Sequence, residues 1–156
     1  MVGLESRPAN VEGAGEVPMR VLVRQALRMR PDRLVVGEVR GGEAVDLLAA
    51  LNTGHEGGCG TVHANGSADL PARMEALGIA AGLSRDAVHA QLGAGVDAVV
   101  ELGRDRSGGR RARGVALVEL DRAGKADVVP ALDLGDPAAD RPGRARLLER
   151  LEGVAP

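Results

Sequence analysis

Within the stretch RPDRLVVGEVRGGEAVDLLAALNTGHEGGCGTVHAN, the candidates for chemistry are Glu38, Arg40, His55, Cys59 and His63. Glu38 closes the apolar run Leu34-Val35-Val36, and α/β sheets bind their ligands at the carboxyl ends of such strands. An acid there can hold hydrated magnesium or orient attacking water during phosphoryl transfer. A solvent-facing strand-end carboxylate would look the same. Arg40 is open to a phosphate, to an acid across a subunit boundary, or to a surface salt bridge. His55 and His63 bracket GHEGGCGTVH, where glycine permits close backbone approach and imidazole can donate to a phosphate oxygen. Two ordinary loop histidines are the plainer alternative.

Other chemistries fit less well. Cys59 lies between the two histidines, but the stretch is not HExxH and offers no fourth zinc ligand at a recognised spacing. A Cys59–His63 nucleophile pair lacks an identifiable oxyanion hole. Glu43 suits the start of a helix through the macrodipole. His89, on a predicted helix, is expected to be partly buried or exposed. The order strand, Gly-Glu, helix, glycine-rich strand suits the metal-and-water side of a nucleotide-hydrolysing site. A phosphate-cradling GxxxxGK[ST] loop is absent, since the only lysine, Lys125, lacks a glycine at the required earlier spacing.

Periodicity places the elements that position these groups. A helix is predicted from Val17–Pro18 to Arg30, stopped by Pro31. Its apolar side is Leu22, Val23, Ala26, Leu27 and Met29. Arg20, Arg24 and Arg28 share the opposite face, either solvated or meeting an acidic neighbour or a phosphate. Leu34–Val36 reads as a strand buried on both faces of a parallel sheet. A helix over Glu43–Asn52 follows, with Ala44, Leu47, Leu48 and Leu51 inward, and then a strand over Cys59–Ala64. Ser67 is a candidate cap for a helix over Ala68–Ala81, and Ser84 for another ending at Leu92. Strands at Val96–Leu102, Gly114–Leu120 and Ala126–Ala131 form an antiparallel meander around the basic turn Arg104–Arg113. Gly135–Gly143 reads as a linker and Arg144–Glu152 as a helix, with Leu147, Leu148 and Leu151 on one side.

The 156 residues leave room for one domain, and 44% hydrophobic with 27% charged residues is a globular balance. A net charge of −2 argues against a dominant attraction to nucleic acid or acidic membrane. Nucleic-acid binding would have to rest on Arg104, Arg106, Arg110, Arg111 and Arg113. No apolar run is long enough to span a bilayer. A lone cysteine cannot form an internal disulfide and suits a reducing cytoplasm. Phe, Tyr and Trp are all absent, so the core is aliphatic and base-stacking platforms are excluded. With 23 glycines in addition, the chain alone is expected to be marginally stable.

The segments RPANVEGAGEV, LVRQALRMRPDRLVVGEVRGGEAVDLLAALNTGHEGG and TVHAN closely resemble the secretion and pilus-assembly ATPases of the type II/type IV secretion superfamily. The tight-adherence (Flp pilus) and conjugal-transfer-associated branches are nearest. The resemblance is strong from Leu4 to Asn65, fair to Leu102 and weak beyond. It implies an α/β fold: an incomplete RecA-like core over 1–103, carrying the Walker B and histidine-box half, then a β-meander over 104–134 and a linker with terminal helix over 135–156.

The resemblance also implies roles. LVVGE corresponds to Walker B, which assigns Glu38 to the magnesium and water network. GHEGGCGTVH corresponds to the histidine box, with His63 sensing the terminal phosphate and His55 supporting it. Gly37, Arg40 and Thr61 join His55 around the nucleotide. ATP and magnesium are the implied cofactors. The implied setting is a homo-hexameric ring at the cytoplasmic face of the inner membrane, acting on platform proteins, with no membrane span of its own. The chain is expected to be a carboxy-terminal portion without the family's amino-terminal domain, its arginines or Walker A, and to be inactive by itself. Because the strand feeding the phosphate loop would be missing, a gap is expected between the Leu34 and Thr61 strands. A non-catalytic module that associates with intact ATPase subunits, through the arginine stripe and the basic turn, is the alternative.

Overall fold

Two prolines bracket the first helix. Pro18 fits the first-turn boundary because it has no N–H to satisfy, and the chain leaves the helix before Pro31. The computed structural model describes residues 1–54, 57–105 and 107–153. Helix α1 spans Met19–Arg28, and Arg30 then takes a left-handed φ of 52° that turns the chain away. Val23 and Ala26 are buried, while Met29, expected on the apolar side, is exposed. Residues 1–16 are exposed throughout and are held by one antiparallel bridge, Arg7 to Val17.

Strand β1 (Val35–Val36) and strand β2 (Cys59–Gly60) are parallel, joined across helix α2 (Glu43–Leu51). The expected gap does not exist. Val35 pairs with Cys59 and Val36 with Gly60. Cys59 N donates to Leu34 O at 2.9 Å and Thr61 N to Val36 O at 3.2 Å. The backbone groups satisfy one another directly, which removes the desolvation cost that separated strands would carry. Burial on both faces is also corrected. Leu34 and Val36 are buried under α2, whereas Val35 is 67% exposed, because nothing among the described residues covers its face. Gly60 lets Leu47 pack close to β2: a Cβ there would lie 2.8 Å from Leu47 Cδ2, so the leucine would have to shift.

A 3-10 turn (Ser67–Asp69) leads into helix α3 (Leu70–Ala80), followed by α4 (Arg85–Gly95). Ser84 caps α4 as expected, accepting Ala87 N–H at 3.2 Å. Ser67 caps nothing: its hydroxyl donates to Glu101 Oε2 at 2.9 Å, since a carboxylate is the stronger acceptor. Strands β3 (Ala98–Arg104), β4 (Arg110–Leu120) and β5 (Ala126–Asp133) form the expected antiparallel meander, bulged at Glu101/Leu102 and Val115/Ala116. The protein is thus mixed α/β, with a parallel pair and a three-stranded antiparallel sheet. One apolar cluster links Val23, Leu34 and Leu47 through Met74, Val88 and Leu92 to Val118 and Val128.

His89 departs from expectation. It is 6% exposed: Nε2 lies 3.2 Å from Glu75 Oε2, and Nδ1 accepts the Ala126 N–H at 3.1 Å. The buried ring ties α4 to α3 and β5. Helix α5 (Arg144–Glu152) buries no residue, and Leu148 and Leu151 of its apolar side are exposed. Arg146–Glu119 at 2.7 Å and Arg150–Asp97 at 3.3 Å fasten it. No helix among the described residues is long and apolar enough to cross a membrane.

Candidate functional site

The parallel pairing of β1 with β2 brings their carboxyl ends side by side, and this sets the site. Glu38 leaves β1 just as His63 leaves β2. Val39 N donates to Thr61 O at 2.8 Å, stapling the two exits together. Thr61 therefore contributes through its backbone. Glu43, at the start of α2, accepts the N–H groups of Arg40 at 2.7 Å and Gly41 at 2.9 Å. Burial would push the Glu43 carboxyl up, but these N–H groups and its own outweigh it and hold it below the usual range. The turn so fixed folds Arg40 back onto Glu38.

The carboxylate of Glu38 is bracketed by two cations or potential cations. Arg40 Nη2 lies 2.6 Å from Oε2, and His63 Nε2 lies 2.9 Å from Oε1. The Arg40 guanidinium chiefly, and His63 to a smaller degree, hold the Glu38 carboxyl below its ordinary value despite desolvation. Oε1 is buried and meets no donor in hydrogen-bonding alignment, so the His63 approach is a close electrostatic contact rather than a directed bond. A Cβ on Gly37 would meet nothing within 4 Å, so the space above the strand end is open. His63 itself is 80% exposed at its side chain, with the freedom to face a ligand.

Of the expected site residues, Glu38, Arg40, Thr61 and His63 are brought together, with Gly37 beside them. His55 lies outside the described residues. Cys59 is an exposed thiol, and among the described residues no three His, Cys, Asp or Glu side chains converge as a metal site. The arginine stripe meets an acidic neighbour: Arg20 and Arg24 hold the two oxygens of Asp46 on α2, at 2.8 and 2.9 Å. In the basic turn, Arg104 donates to Gly108 O and Arg113 to Arg104 O, while Arg106 lies outside the described residues. Asp46 thus neutralises part of the arginine stripe, whereas the carbonyl contacts of Arg104 and Arg113 leave the charge of the basic turn in place.

Beyond His63, a cleft of about 670 Å³ opens between the Ala64–Asn65 loop and α3, with Asp69 and Arg73 in its wall. Arg73 escapes a reading of periodicity, because arginine on a helix surface is ordinary. The available signal is its place in the first turn of α3, where the macrodipole disfavours a cation.

A family model described as "Type II/IV secretion system protein" matches residues 5–113. A Mycobacterium tuberculosis protein named for conjugal transfer is 64% identical over 118 residues, 76% of this chain and 34% of that protein. The conjugal transfer protein TrbB of Rhizobium radiobacter is 43% identical over 104 residues, 66% of this chain and 31% of TrbB. The crystal structure of the VirB11 ATPase from the Brucella suis type IV secretion system, in complex with sulphate, superposes with a TM-score of 0.59 at 28% identity. That match covers 65% of this chain and 32% of VirB11. The chain spans about a third of the length of these relatives.

Proposed function

We propose, because this chain belongs to the type II/IV secretion system protein family, that it supplies the magnesium-and-water side of an ATP-hydrolysing site in a secretion or conjugal-transfer motor. The observation that carries this is the meeting of Glu38 and His63 at the adjoining ends of two parallel strands. On this reading residues 1–103 are part of a RecA-like core, Leu34–Glu38 its Walker B element, 104–134 a β-meander extension and 135–156 a linker with a terminal helix.

When bound, magnesium and ATP supply an electrophilic terminal phosphorus and a charge-neutralised leaving group. Glu38 stays ionised at neutral pH, since its carboxyl is held low, and once His63 turns away its Oε1 accepts a hydrogen bond from the water to be oriented. Arg40 fixes the carboxylate from the opposite oxygen. His63 turns from Glu38 towards the terminal phosphate and reports whether it is there; His55 supports it. Gly37 leaves room for the phosphates, and Thr61 aligns the two strand exits.

The phosphate loop and further arginines come from sequence outside this chain's motifs, so these residues alone turn over ATP negligibly. The assembled machine is a homo-hexamer at the cytoplasmic face of the inner membrane, working on platform proteins. Tight-adherence pilus assembly and conjugal transfer are the branches in view.

The test is a chimera in which residues 5–113 replace the matched segment of the mycobacterial relative. It is expected to hydrolyse ATP with magnesium, and Glu38→Gln to lower turnover about 100-fold or more. Undiminished turnover in Glu38→Gln sinks the reading.

A further inference from the structure

We propose that Arg73, His63 and Asp69 form a site for free inorganic phosphate, reached through the cleft beside Asn65. The choice of phosphate rests on the nucleotide-hydrolysing reading above; the existence of the site does not.

Arg73 carries a permanent charge on a rigid fork suited to a tetrahedral oxyanion. Its Nε is buried and has no hydrogen-bond partner. Among the described residues no carboxylate lies within ion-pair distance of its guanidinium, and of the described arginines it alone has a buried side-chain nitrogen without a partner. A partly buried guanidinium without an acid is an incomplete interaction, and an anion completes it.

The same cleft of about 670 Å³ is lined by His63, whose Nε2 is engaged with Glu38. His63 therefore stands between the carboxylate of the candidate hydrolytic site and the cleft that holds Arg73.

Asp69 sharpens the chemistry. A carboxylate in the wall repels a fully ionised anion but accepts a hydrogen bond from one that still carries a proton. Inorganic phosphate at neutral pH has such a proton; sulfate has none, and neither does a fully ionised nucleotide phosphate. The wall composition thus favours phosphate over sulfate, and the released product over the bound nucleotide.

The experiment is a titration of the 156-residue chain at constant ionic strength, followed by NMR of the Arg73 Nε–H and the His63 ring. Sodium phosphate, sodium sulfate and magnesium AMPPNP are added in separate arms. Phosphate is expected to saturate both signals, with sulfate and AMPPNP at least tenfold weaker. Arg73→Gln should weaken phosphate at least tenfold, Arg111→Gln should leave it unchanged, and Asp69→Asn should bring sulfate level with phosphate. If the Gln variant loses its amide dispersion, Arg73→Lys serves, with a loss of at least threefold expected. Absence of saturation, wild-type affinity in the Arg73 variants, or sulfate binding as well as phosphate to the wild-type chain overturns the assignment. Tighter binding of AMPPNP reassigns the cleft to bound nucleotide and overturns it too. Phosphate binding is read by NMR on this chain and the hydrolytic reading by turnover of the chimera, so failure of one and failure of the other fall on separate measurements.

Discussion

Glu38 Oε1 and His63 Nε2 stand 2.9 Å apart, yet the larger hold on the carboxylate is exerted from its other oxygen by Arg40. Arg40→Ala should therefore raise the Glu38 titration midpoint more than His63→Ala does. The carboxyl carbon shift of Glu38 followed from pH 7 to pH 2 gives the answer; a larger rise in the His63 variant would reverse the ranking. The sign for stability follows. A depressed folded value means the contribution is present above the unfolded carboxylate range, about pH 4, and is lost as pH falls through the lowered folded value. Both contacts are open to solvent, so added salt should shrink the shift.

Asp46 joins α1 to α2 by taking Arg20 on one oxygen and Arg24 on the other, while remaining largely covered itself. Asp46→Asn should cost about 1 kcal/mol, in keeping with two partly exposed ion pairs. Urea midpoints from far-UV circular dichroism at low salt and at 1 M salt would check this. The difference between variant and parent should narrow at 1 M, where the screening length is about 3 Å. Aromatic fluorescence is no help in a chain without Phe, Tyr or Trp.

Gly78 lets α3 and α4 touch. A Cβ at that position would lie 2.3 Å from Cγ2 of the fully buried Val88. Gly78→Ala gains about 1 kcal/mol of helix propensity but forces an overpacking cost of about 1–3 kcal/mol. A net loss of thermal stability is expected. Combining it with Val88→Ala should recover more than additivity allows, by at least about 0.5 kcal/mol. Strictly additive behaviour would show that the helices simply move apart.

His89→Leu keeps the volume near that of the ring but strands the Ala126 N–H that Nδ1 accepts. The loss should be about 1–3 kcal/mol, the cost of a buried donor without a partner. Hydrogen exchange at Ala126 is the specific readout, and it should accelerate more than exchange elsewhere in β5.

Much of this architecture is legible in the residues because local signals and burial agree there. The spacing of Ala44, Leu47 and Leu48 defines α2, Ser84 caps α4 as its type suggests, and the turn at Asp121–Gly124 divides β4 from β5. What escapes is whatever depends on a distant neighbour. Leu34-Val35-Val36 reads as an enclosed strand, but an apolar run cannot say whether both faces are covered, and Val35 is bare. Ser67 has the type of a cap, yet Glu101, far along the chain, takes its hydroxyl. His89 sits on a helix whose pattern permits exposure, and only the packing of β5 buries it. Likewise, Glu38 and His63 are individually ordinary. Their meeting depends on the direct pairing of β1 with β2, which the expected strand order did not contain.

The last helix obeys a different law from the rest of the molecule. The interior from Val23 to Val128 is cemented by aliphatic contact, which sulfate and other kosmotropic salts tighten and cold loosens. Helix α5 is moored by Arg146–Glu119 and Arg150–Asp97, with Leu148 and Leu151 left facing outward and only Leu147 partly covered. Concentrated ammonium sulfate therefore loosens the tail while firming the body, so the two parts of one short chain answer the same solvent in opposite directions.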